Sequence, residues 1–89
     1  MDNTNFNESM SYFFDMLEIN EIDFEYNERL HYLISKEAFP YEDDQDYFLV
    51  VKLNGNIGTV VIGFSDGIKF YETQTLGQIS LEKGKWHVL

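Results

Sequence analysis

The stretch NFNESMSYFFDMLEINEIDFEY (residues 5–26) decides the fold, because its apolar period changes from helical to alternating partway along. Phe6, Met10, Phe13, Phe14 and Leu17 recur at spacings of three and four. That spacing puts them on one face of a helix, with Glu8, Ser11, Asp15 and Glu18 on the other. Asn5 followed by Glu8 has the form of a capping box. Together these features predict a helix over 6–18. From Glu21 to Tyr26, apolar and acidic residues alternate strictly. This predicts a half-buried strand with Ile22, Phe24 and Tyr26 inward and Glu21, Asp23 and Glu25 outward.

Downstream, Asn27-Glu28 can turn the chain and 30–35 reads as the return strand. Residues 36–46 have no period, hold the single proline and carry five acids, which predicts a loop or an irregular excursion near a sheet edge. A largely apolar strand follows over 47–53. Asn54-Gly55-Asn56 and Ser65-Asp66-Gly67 are hairpin signals, since Asn and Gly tolerate the positive φ of tight turns. Strands are expected at 57–64, 68–73, 76–81 and 85–89, with a last turn at Lys83-Gly84. The predicted class is α+β: one N-terminal helix packed on an antiparallel β-meander sheet of five to seven short strands. The 89 residues give one domain, 1–89.

A core this small must be dense, and eight Phe, six Tyr and Trp86 supply the area. Trp86 and Val88 are expected to help close it. Zero cysteine rules out disulfides and thiol chemistry and fits a reducing compartment. No basic-then-apolar leader and no long apolar run occurs, so a cytoplasmic protein without membrane contact is expected.

Charge is the other strong signal. Residues 1–46 hold thirteen acids against Arg29 and Lys36, whereas 47–89 hold three acids against four lysines. The net −10 belongs to one half. Such a field repels nucleic acid and attracts basic protein surfaces. On the strand 21–26, Glu21, Asp23 and Glu25 project from one face about 6.7 Å apart, two rises of about 3.3 Å. That spacing is close to successive backbone phosphates. Glu42, Asp43, Asp44 and Asp46 add a second acidic segment. The candidate partner-binding residues are therefore Glu21, Asp23, Glu25, Glu42, Asp43, Asp44 and Asp46. The competing reading is a polar outer face kept for solubility.

Enzymatic signals are absent. His31 and His87 have no partner at ligand or catalytic spacing. Gly55, Gly58 and Gly63 match no phosphate loop and read as hairpin and strand glycines. The 42–46 cluster alternates only partly and lacks the turn glycine of a calcium loop. No metal, no cofactor and no catalysis are expected.

In layout, helix then meander, the chain resembles the chaperones of type III secretion. In size and acidity it resembles phage-encoded anti-CRISPR proteins. The second resemblance implies an inhibitor that mimics nucleic acid on a basic protein. The first implies a chaperone or adaptor that holds a partner peptide on an apolar surface or a sheet edge.

Overall fold

A computed structural model describes residues 3–89, with side chains from Asn5 onward. The order of elements is α1 (Asn3–Leu17), β1 (Phe24–Asn27), β2 (Tyr32–Ser35), β3 (Phe39–Pro40), β4 (Asp46–Asn54), β5 (Ile57–Ser65), β6 (Phe70–Glu82) and β7 (Lys85–Val88). All pairings are antiparallel and run β1-β2-β4-β5-β6-β7, with β3 also on β4. The α+β class, one helix on a seven-stranded antiparallel sheet, is as the periodicity implied.

The apolar face of α1 does what its spacing requires. Met10 and Phe13 are fully buried, Phe6 and Phe14 nearly so, and Leu17 packs against the same cluster. Burying side chains of this size contributes about 1.5–3 kcal/mol each. Phe13 packs against Gly77 of the sheet: a Cβ there would stand 3.1 Å from its ring. Asn5 is not a cap. The helix starts at Asn3, so Asn5 sits in its first turn and its side-chain oxygen accepts the Trp86 N–H. The Ser9 hydroxyl donates to the Trp86 carbonyl at 3.0 Å. Trp86 is on the outer strand β7, so two helix side chains satisfy backbone groups that would otherwise be an open edge.

The helix ends in a Schellman arrangement. Ile19 N–H reaches the Phe14 carbonyl at 3.0 Å, and Glu18 N–H reaches the Asp15 carbonyl at 3.1 Å. Glu18 takes the left-handed position, φ 57°, where glycine is usual.

The expected strand 21–26 is shorter. Only 24–27 pair, with Phe24 opposite Ser35 and Asn27 opposite Tyr32. Ile22 is buried and Phe24 half-buried, but Tyr26 is 48% exposed, because β1 is the outermost strand and nothing lies beyond it. The return strand likewise starts at Tyr32, not Leu30. Asn27 Oδ1 accepts the Leu30 N–H at 3.0 Å and holds a longer turn over 28–31.

Residues 36–46 contain the short strand β3. It pairs Phe39 with Tyr47 and buries Phe39. β2 and β3 are thus one strand interrupted at 36–38. At the break, the Ser35 hydroxyl accepts the Leu49 N–H at 3.1 Å.

The two strands expected at 68–73 and 76–81 are one, β6. Its register against β5 shifts twice. Thr73 and Leu76 are the extra residues, and these bulges curl the sheet instead of breaking the strand. At the first bulge β6 comes so close that a Cβ on Gly63 would stand 2.2 Å from the Tyr71 carbonyl oxygen. Ile68 lies outside β6, in the preceding loop. Val88 is 40% exposed and does not help to close the core, whereas Trp86 does.

Candidate functional site

The registers give the sheet two ends. The turns 28–31, 55–56 and 83–84 lie at one. At the other lie the helix C-terminus with 18–23, the break 36–38, the loop 41–45 and the loop 66–69.

The charge asymmetry of the sequence becomes an asymmetry between these ends. The loop end gathers Glu18, Glu21 and Asp23 from the first connection, Glu37 from the break, Glu42, Asp43, Asp44 and Asp46 before and at the start of β4, and Asp66. Lys36 and Lys69 oppose these nine carboxylates. Among the described residues, the turn end holds Arg29, Lys83 and Lys85 with Glu28 and Glu82.

Six of the seven residues singled out from the sequence therefore converge, and all seven are exposed. Glu25 stands apart, within β1 on the face opposite the core. Asp23 continues the ladder through its carbonyl and shares a face with Glu25, but Glu21 precedes it, so a regular row of three carboxylates is not formed. Glu18, Glu37 and Asp66 join the group without having been singled out. Glu18 and Glu37 meet Glu21 around an open cleft of about 450 Å³, whose walls include Ile19, Ala38 and Pro40. A second cleft of about 410 Å³ lies between α1 and the chain entering β1, lined by Glu8, Ser11, Phe14 and Glu21 among others.

Rigid parts support the loop end. An aromatic row crosses it: Tyr41 to Tyr47 at 5.3 Å between centroids, Tyr47 to Phe64 at 5.8 Å, and Phe64 to Tyr71 at 5.3 Å. Lys69 Nζ lies 5.6 Å from the Tyr71 ring centre. The Tyr47 phenol is pushed up by burial, then by Glu42 and Asp43. In the loop 66–69, Asp66 accepts the Lys69 N–H at 2.8 Å, the Ile68 N–H at 2.9 Å and the Tyr71 hydroxyl at 3.1 Å. The Lys69 amide and then the Ile68 amide hold the Asp66 carboxyl below its ordinary value, against the opposing effect of burial, and the Tyr71 hydroxyl adds a lesser lowering. Gly67 supplies the positive φ, 93°. The loop presents Ile68 at 96% exposure.

Electrostatically the loop end is built against stability. The last turn of α1 holds Asp15 and no base, and Glu18 follows directly, although a helix C-terminus favours cations. Asp43 and Asp44 are consecutive left-handed residues, φ 53° and 54°.

The histidines lie elsewhere. His31 Nδ1 is 3.4 Å from the Tyr26 hydroxyl at the turn end, and His87 is exposed on β7. Among the described residues no three His, Asp or Glu side chains are grouped to hold a metal ion. No helix among them is long and apolar enough to cross a membrane. Comparison with protein-family models finds no match, and comparisons with curated proteins and with solved structures find none either.

Proposed function

We propose that this chain is a non-enzymatic protein-binding module whose acidic end docks on a Lys/Arg-lined surface of a partner protein. The observation that carries this reading is the convergence of carboxylates from four separate segments on one end, in positions that cost stability. A coat kept only for solubility would be spread over the surface and matched to the helix dipole. Carboxylates aimed at Lys and Arg form charge-assisted bonds and speed encounter. If the partner's basic surface is a nucleic-acid groove, occupation excludes nucleic acid, which makes the module an inhibitor of the anti-CRISPR kind. A cysteine-free chain suits such work in the cytoplasm.

The test reverses three acids, Asp23→Lys, Glu25→Lys and Asp44→Lys, with circular dichroism as the folding control. Wild type should capture a basic partner that is released steeply by salt and by added duplex nucleic acid, and the variant should not. A variant that captures the same partner with the same salt dependence removes the acidic end from function.

The adaptor reading is favoured by a different observation, the uncovered outer edge of β1.

A further inference from the structure

The sheet curls without closing, and α1 fills only one side of the gap. α1 packs against β7, and Phe6 reaches both edges, 5.8 Å from Trp86 and 5.3 Å from Phe24 between ring centroids. The cleft of about 410 Å³ remains between α1 and the chain entering β1.

The edge beside that cleft is a ladder with one side unused. Lys36 N–H donates to the Asp23 carbonyl at 2.8 Å, so residue 23 faces β2. The register makes 25/34 and 27/32 equivalent pairs. The backbone N–H and C=O groups of Phe24 and Tyr26 therefore point the other way, past the end of the sheet. Their side chains share the core face, where Phe24 stacks on Phe14 at 6.2 Å and Tyr26 is left 48% exposed. On the other face stand Asp23 and Glu25.

We infer that the outer edge of β1 is a strand-addition site for an extended basic segment of a partner protein, with Lys or Arg alternating with apolar residues. The alternation is the complement of this chain's own. Apolar side chains of the added strand cover Tyr26 and enter the cleft along Phe14. Basic ones stand beside Asp23 and Glu25, with Glu8 and Glu21 on the cleft rim. Charge chooses the occupant. A second copy pairing through β1 brings Glu25 and Asp23 of both copies together, which like-charge repulsion opposes. Short, charged edge strands ordinarily deter pairing, and here the deterrent has one sign, so it rejects acidic strands and admits basic ones. This inference rests on the acidic-module reading and names the segment that the module grips.

The experiment uses the full chain and three eight-residue synthetic peptides: Lys alternating with Val, Glu alternating with Val, and the Lys–Val composition with all lysines in one block. Amide exchange is followed by NMR. The alternating Lys peptide should slow exchange of the Phe24 and Tyr26 amides by about tenfold or more, and 0.5 M salt should reverse much of this, by screening over only about one Debye length. The other two peptides should not protect these amides. Tyr26→Pro removes an outward N–H that β2 does not use, so it should fold as wild type by circular dichroism and lose the protection of Phe24. Equal protection by the block or Glu peptide overturns the site, as does no protection with any peptide at millimolar concentration. Shifts confined to 42–46 also overturn the β1 site while leaving the acidic end as a charge-binding surface, which Asp43→Lys with Asp44→Lys, both outside β1, tests separately.

Discussion

The two ends of the sheet reverse the chain equally often and do it by different means. At the turn end, β4 and β5 are joined by Gly55-Asn56, and β6 and β7 by Lys83-Gly84, two-residue connections with positive φ where the hairpin needs it. Charges there nearly balance. At the loop end every connection has four residues or more, the strand β2/β3 is broken, and nine carboxylates share the end with a helix terminus of the wrong polarity. Connections that serve only folding become short and local. A region that keeps unfavourable charges and left-handed carboxylates is shaped by something besides folding, and recognition of a basic partner supplies that reason.

The largest effects should come from what both ends share. Deleting 85–89 removes Trp86 and the strand that holds Asn5 and Ser9 of α1, and it should unfold the domain; a truncated chain with an unchanged melting temperature would contradict this packing. Phe13→Ala should cost about 3–5 kcal/mol. For a domain of ordinary stability, about 5–15 kcal/mol, that is a large part of the total, readable by chemical denaturation.

Gly67→Val separates the turns from the core. Nothing lies within 4 Å of a Cβ there, so the cost is conformational alone, from φ 93°. About 1–3 kcal/mol is expected. A loss near zero would mean that the loop 66–69 rearranges freely and that its hydrogen bonds do not fix it.

Glu18 tests the comparison in the opposite direction. Glu18→Gly suits the left-handed C-terminal position and removes a carboxylate from the negative end of the helix dipole. It should stabilise by about 1 kcal/mol, raising Tm by about 4–8 °C, while weakening capture of a basic partner. The matching change at the turn end, Lys83→Gly at φ 52°, should stabilise through the backbone and leave capture unchanged. If Glu18→Gly weakens nothing, the electrostatic difference between the ends has no bearing on binding.

The elements with a strong period are legible in the sequence. Phe6 to Leu17 gave α1, and the glycine turns gave β4, β5 and β7. What failed depended on position in the sheet. Tyr26 alternates as an inward residue should, yet only the strand order reveals that β1 has no neighbour to cover it. Gln74-Thr75 reads as a break because bulges at Thr73 and Leu76 disturb the alternation within a continuous strand. Phe39 has no periodic companions, so β3 could not be read. The same holds for the site. The run 42–46 is visible as composition, but Glu18, Glu37 and Asp66 join it only through pairings that span the chain.

The smallest expected effect is the pH response of the loop 66–69. Asp66 is held below the ordinary carboxylate value, 3.8, by bonds that only its folded geometry provides. A lowered folded value means that these bonds stabilise the loop fully above the ordinary range and are lost as pH falls through the lowered value. The Ile68 and Lys69 amide shifts should therefore titrate together, with a midpoint below 3.8, while the turn at Gly55 shows no matching transition. Asp66→Asn keeps an acceptor for both amides and removes the charge, so it should abolish the titration with little change in melting temperature at neutral pH. A midpoint at or above the ordinary value would show that the carboxylate does not hold the loop. Ile68 would then be an exposed side chain on a mobile loop, and the loop end would owe its order to the aromatic row alone.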